Sequence, residues 1–238
     1  MICKSAIEGK RTICTPPDIS HLQALIKDPV RADLLGALMS GKAYTANELA
    51  RYAGITVEEA IAHLGKLDSA HLLTHRSQGP HRYFALGNDE IISELKTIPE
   101  LDAGPNQICI VTGPKDPAQR KARVCYNHLA GEFGIRMFQS MLARQYLSRS
   151  GDAIALTAPG CNFIEEIGID IDALGKMKRP MCKTCLDWSH RRTHLGGTLG
   201  VLLLDHVYNR GWGRRLDGSR TVRFSTQGAQ QFAHAFPL

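Results

Sequence analysis

Two threonines eleven positions apart constrain this chain more than any other feature. Thr45 is followed three residues later by Glu48, and Thr56 three residues later by Glu59. Each pair is a capping box, in which the hydroxyl and the carboxylate satisfy orphan amides at a helix start. Gly54 lies between them, where a helix can close in the left-handed conformation. The pattern predicts two short helices, Thr45 to Ala53 and one opening at Thr56, joined by a glycine turn. That is a helix-turn-helix. With Ile61, Leu64 and Leu67 facing inward, the second helix presents Thr56, Glu58, Glu59, Ala62, His63 and Lys66 to solvent.

The flanking residues complete a small domain. Asp18-Ile19-Ser20 opens a helix through Leu22, Leu25 and Ile26. Pro29 suits the first turn of the next helix, which carries Val30, Leu34, Leu35 and Leu38 and stops near Gly41. Downstream, Leu72 to Arg76 and Arg82 to Leu86 read as strands around the turn residues Ser77-Gln78-Gly79-Pro80. A hairpin directly after a recognition helix is a wing, and this one offers His75, Arg76, His81 and Arg82. Asn88 or Asp89 then starts a helix with Ile91, Ile92, Leu95 and Ile98. Residues 1–17 read as a tail and 103–119 as a linker containing a short strand, Ile108 to Val111. The domains are therefore expected at 18–102 and 120–238.

Over residues 20–98 the chain resembles the ArsR/SmtB family of winged-helix repressors. The matching stretches are Asp28 to Leu35, Thr45 to Ala53, Glu59 to Leu64 and Gly79 to Leu86. The resemblance implies a homodimer built on the first and last helices and a double-stranded DNA operator. It also implies DNA contacts from Thr45, Thr56, Glu58, Ala62, His63, Lys66, His75, Arg76, His81 and Arg82. Two departures stand out. Glu58 and Glu59 occupy positions where the family more often has Ser or Thr, and Pro80 stands where it often has a base. The helix Asn47 to Ala53, which carries metal-binding cysteines in many relatives, has none here.

Charge does not single out the DNA-reading half. The formal net charge is +6, yet residues 18–102 hold eight Lys and Arg against twelve Asp and Glu. Residues 103–238 hold eighteen against ten. Geometry rather than bulk electrostatics must carry a DNA-binding assignment. No apolar run reaches the ~18 residues that span a bilayer, so no membrane partner is expected. Met1-Ile2-Cys3-Lys4 is not followed by an apolar h-region, which predicts a cytoplasmic protein without a signal peptide.

The second half contains an internal repeat. His128 to Gly134 matches His194 to Gly200 at an offset of 66 residues. Arg144-Gln145-Tyr146 matches Arg210-Gly211-Trp212, and Ile154 to Gly160 matches Val222 to Gly228. Each copy reads as a helix, a hairpin and a helix start, and two copies would cover each other's apolar faces. The fold class expected is mainly α with small β-hairpins (α+β): an N-terminal winged helix plus a C-terminal helical domain of two winged-helix-like repeats.

Seven cysteines are scattered along the chain. Cys125-x-x-His128 and Cys182-x-x-Cys185 together supply three thiols and an imidazole, a ligand set for zinc or another thiophilic metal. His190 and His194 are further candidate ligands. Arg179, Lys183 and Arg191 favour thiolate chemistry instead, so the same cysteines also fit an oxidant-sensing dithiol. Plain structural cysteines are the third reading, and the sequence leaves the three open. Cys3, Cys14, Cys109 and Cys161 have no partner spacing. The segments Cys125 to Gly131 and Arg179 to Ser189 resemble the extension of long-form ArsR-like regulators. Asp187, Trp188 and His190 are candidates for an effector pocket, with Trp188 better suited to a core or a domain interface.

No nucleophile elbow, Walker loop or His-Glu-x-x-His is present, so no enzyme is expected. The sequence predicts a DNA-binding transcriptional regulator, a repressor released by a metal, thiol-reactive or small-molecule signal. The alternatives are a winged-helix protein-interaction module and a Cys-dependent metal or redox protein.

Overall fold

A computed structural model describes residues 19–78, 80–87, 89–98, 101, 112–150, 153–170 and 180–238. The expected tail, the Ile108 to Val111 strand, Gly79, Asn88, Arg179, Cys3, Cys14 and Cys109 lie outside the described residues. The chain divides into two compact units, described over 19–101 and 112–238.

The first unit runs α1 (Ile19–Ile26), α2 (Pro29–Leu38), β1 (Tyr44–Thr45), α3 (Ala46–Ala53), α4 (Val57–Ser69), β2 (Leu73–Gln78), β3 (His81–Leu86) and α5 (Asp89–Leu95). Both predicted capping boxes form. Thr45 caps α3 with Glu48, and Thr56 caps α4 with Glu59. Gly54 closes α3 at φ 67°, a left-handed geometry that costs a residue without Cβ nothing. The core gathers Leu22, Ile26, Leu34, Leu35, Leu38, Leu49, Leu64, Leu67, Phe84 and Leu95. Strand order is β1-β3-β2, all antiparallel. The two-residue β1 is too short for a periodicity reading, and it pairs Tyr44 with Phe84.

One inward residue was misassigned. Ile61 is 55% exposed, not buried. Ala60, Leu64 and Leu67 form the buried stripe of α4, spaced four and three apart. Ile61 falls one position off that stripe and turns outward.

The second unit runs through one element order twice. A short helix α6 (Pro117–Lys121) leads into the hairpin β4 (Arg123–Cys125) and β5 (His128–Ala130), then α7 (Glu132–Ala143). The hairpin β6 (Leu147–Ser150) and β7 (Ala153–Leu156) and helix α8 (Ala158–Glu166) follow. Next come β8 (Lys183–Asp187), β9 (Arg192–Gly196) and α9 (Gly197–Asn209), then β10 (Gly213–Arg215), β11 (Val222–Phe224) and α10 (Thr226–Ala235). The leading hairpin of each run was not foreseen. Residues 112–119, read from sequence as linker, fold into this unit. Arg120 donates to the Thr112 carbonyl at 2.7 Å, and the Thr112 hydroxyl donates to the Trp188 carbonyl at 2.9 Å.

Glycines mark equivalent places in the two runs. Gly131 and Gly197 start α7 and α9 with φ of 82° and 78°. A Cβ at Gly160 would lie 2.1 Å from the Tyr146 carbonyl oxygen, and one at Gly228 would lie 1.9 Å from that of Trp212. The shared core holds Leu129, Phe133, Met137, Phe138, Leu195, Leu199, Leu203, Trp212 and Phe232.

Candidate functional site

Among the described residues, two groups carry chemistry, one in each unit. In the first unit, α4 and the β2–β3 hairpin present the residues expected at DNA. Thr56, Glu58, Glu59, Ile61, Ala62 and Lys66 are exposed along α4. The Thr56 hydroxyl is engaged in the cap: it accepts from the Glu59 amide and donates to Glu59 Oε2 at 2.9 Å. The Thr56 backbone amide, which also donates to Oε2, and then the Thr56 hydroxyl hold the Glu59 carboxyl below its ordinary range. Glu59 therefore caps the helix. Glu58 stays in solvent, where an acid in the first helical turn is favoured by the dipole.

Three of the expected residues are partly occupied elsewhere. The Thr45 hydroxyl caps α3. His63 is half-buried, with Nδ1 3.8 Å from Asp28 Oδ2 at the start of α2. Its imidazole thus leans toward the protein rather than outward. His75 sits 3.6 Å from Asp68. On the hairpin, His81 and Arg82 are exposed and Arg76 is half-buried. The Arg82 guanidinium lies over the Phe84 ring, 5.2 Å from its centroid, on the strand face the two residues share. Ile61 was absent from the expected set. Its near-tie with Ala60 as the start of the buried stripe hid it.

In the second unit, Cys125, His128, Cys185 and His194 converge. One ligand atom from each lies within 4.8 Å of all the others. The cause is strand pairing. Cys125 pairs across β4–β5 with His128, and Cys185 pairs across β8–β9 with His194. Cross-strand partners project to the same face, so each hairpin offers one thiol and one imidazole there. Cys125 Sγ and Cys185 Sγ are 4.0 Å apart, and His128 Nε2 and His194 Nε2 are 3.1 Å apart. Both histidines are buried, and both cysteines are half-buried. Hydrogen bonds from Cys185, His128 and His194 outweigh burial and lower the Cys125 thiol well below its ordinary range. Burial lowers His194, which favours neutral imidazole.

Cys182 does not join the cluster, contrary to the C-x-x-C reading. Cys182 lies in the bend just before β8, outside the strand that carries Cys185. Cys182 instead packs against the apolar core, and burial pushes its thiol up to about 12. His194 takes the place expected for Cys182. The signal was present in the repeat, which aligns His194 with His128. Cys161, which has no partner spacing in the sequence, is disulfide-bonded.

The remaining candidates resolve into structure. Asp187 is fully buried. It accepts from Arg123 at 2.7 Å, the Gly131 amide at 2.8 Å and the Ser189 hydroxyl at 2.7 Å. His190 Nδ1 lies 3.3 Å from the same carboxylate. Desolvation is outweighed by these partners, and the Asp187 carboxyl falls far below its usual range. Asp187 thus anchors a buried hydrogen-bond network. Trp188, expected in a core or interface, is 41% exposed with the Arg123 guanidinium 5.4 Å above its ring. An open groove of about 930 Å³ lies elsewhere in this unit, lined by Arg144, Phe163, His206, Arg210, Trp212 and His234 among others.

A short capped helix pair with an adjoining hairpin is a winged helix-turn-helix unit. No protein-family model matches the chain. It is 31% identical over 220 residues to YdfF, an uncharacterised HTH-type transcriptional regulator of Bacillus subtilis, covering 91% of this chain and 96% of that protein. The chain belongs to the HTH-type transcriptional regulators. Two solved structures resemble part of it. One is a predicted DNA-binding transcriptional regulator from E. coli, with 21% identity, a TM-score of 0.30 and coverage of 33% of this chain and 86% of that one. The other is a homodimeric winged helix-turn-helix DNA-binding domain from Mycobacterium bovis, described as a possible ArsR-family regulator. It has 20% identity, a TM-score of 0.30 and coverage of 32% of this chain and 69% of that one.

Proposed function

We propose that this transcriptional regulator is an ArsR-type cytoplasmic repressor that binds operator DNA as a homodimer. The exposed face of α4 reads the major groove, and Arg76 and Arg82 of the hairpin grip adjoining phosphates. The observation that carries this reading is the outward line Ile61, Ala62 and Lys66 on α4, beside the exposed Arg82. Ile61 and Ala62 suit thymine methyl groups, and Lys66 suits phosphate or guanine. Leu25, Ile91 and Ile92 are only partly covered in one protomer, and the dimer is drawn on them.

The second unit is read as a duplicated winged-helix-like element that receives the controlling signal. Its supports are the repeated element order and the matching glycines. A signal that favours one of two dimer geometries by ~1–3 kcal/mol suffices to switch the operator.

Binding of the full chain to a duplex carrying its own promoter, measured across a salt series, tests the DNA reading. A regulator that neutralises phosphates loses affinity steeply as salt rises. No binding at low salt would favour a protein-interaction module, a reading to which the exposed Glu58 would then belong.

A further inference from the structure

We propose that Cys125, His128, Cys185 and His194 form a four-ligand site for a single zinc ion that clasps the β4–β5 and β8–β9 hairpins together. The inference stands apart from the DNA-binding reading, since every ligand lies in the second unit.

The two like-atom separations match those of a tetrahedral zinc site. Zinc bonds of ~2.3 Å to sulfur and ~2.0–2.1 Å to nitrogen imply ligand separations of about 3.8 Å between two sulfurs and about 3.3 Å between two nitrogens. The pairs here are 4.0 Å and 3.1 Å apart. Two thiolates and two neutral imidazoles are a standard structural zinc set. The donor set disfavours magnesium and calcium, which take oxygen ligands.

The surroundings are fitted to the histidines. A Cβ at Gly200 would stand 3.2 Å from His128 Cβ, and one at Gly134 would stand 3.7 Å from His194 Cβ. Gly196 lies against the other end of the His128 ring, where a Cβ would come within 3.4 Å of Nε2. The Cβ of each histidine thus lies close to a glycine on a helix from the other half of the unit. Gly134 lies on α7 against His194, and Gly200 lies on α9 against His128. Four protein ligands leave no open coordination position, so the site is structural rather than catalytic.

A disulfide is the competing use of the two thiols. The sulfurs are 4.0 Å apart against the ~2.0 Å of a bond, and a disulfide would leave the two facing imidazoles unexplained.

The full chain, purified reduced, is tested for zinc by elemental analysis and titrated with cobalt(II) after chelator treatment. One zinc per chain and a tetrahedral cobalt spectrum with thiolate charge-transfer bands are expected. Cys182→Ala should keep full metal content, whereas Cys125→Ser and Cys185→Ser should lose it. The cobalt spectrum of the unmutated chain keeps the test decisive if the serine variants do not fold. A wild-type chain that binds neither metal when reduced would overturn the proposal. So would an octahedral cobalt spectrum, or loss of the metal in Cys182→Ala.

Discussion

His128 and His194 stack with ring centroids 5.0 Å apart and Nε2 atoms 3.1 Å apart, although 66 residues separate them in the chain. The two hairpins that carry them are thereby locked face to face. The Cβ of each histidine lies against a glycine on the helix that follows the other hairpin.

That packing fixes the sign of a glycine substitution. In an ordinary helix, Gly→Ala gains roughly 0.5–1 kcal/mol. At Gly134 the new Cβ would lie 2.4 Å from the Leu129 carbonyl oxygen and 3.7 Å from His194 Cβ. Backbone must move, and overpacking of this kind costs about 1–3 kcal/mol. Gly134→Ala should therefore lower the melting temperature. A variant at least as stable as wild type would show that the hairpin and helix are not this close.

Asp187 and Arg123 form a buried pair at 2.7 Å. Removing one partner strands the other charge in the interior and should cost about 3–5 kcal/mol. Denaturant unfolding of Asp187→Ala measures this. A loss under about 1 kcal/mol, the range of a solvent-exposed pair, would contradict the burial assigned to it.

Ile61 separates folding from DNA readout. Its side chain is largely exposed, so Ile61→Ala should change stability by no more than about 0.5 kcal/mol. On the proposed reading it should still weaken a selected operator. Thermal melts and operator titrations on the same preparation give both values. Unchanged operator affinity would remove Ile61 from the interface.

The local devices of the first unit were legible in the sequence because they are short-range. Thr45 with Glu48, Thr56 with Glu59 and Gly54 between them determine two helices through contacts within four residues. What escaped was set by tertiary context. Ala60 and Ile61 fit the apolar period of α4 almost equally, and only packing against the rest of the unit buries the smaller one. In the second unit, Cys182-x-x-Cys185 suggests a pair of ligands, but Cys182 sits in the bend before β8 and packs against the apolar core while Cys185 lies within the strand. The repeat placed His194 in register with His128. Recognising that both sit in hairpins opposite a cysteine requires the strand pairing itself. The buried network around Asp187 is not legible in the sequence because its partners, Arg123 and Gly131, are more than fifty positions away.

Arg82 is expected to hold backbone phosphate rather than a base. Arg82→Ala should weaken binding to all duplexes alike and reduce the salt slope by about one. Sequence-selective loss would instead assign Arg82 to a base edge.

Selection of bound duplexes from a random pool, run in parallel with the full chain and with an Ile61→Ala, Lys66→Ala, Arg82→Ala triple variant, tests the DNA-reading helix most directly. The wild-type chain should enrich a two-fold symmetric sequence with half-sites about one helical turn apart. The triple variant should fold normally and enrich nothing. Enrichment of the same sequence by both proteins, or of none by the wild type, would contradict the assignment of α4 and the hairpin to DNA.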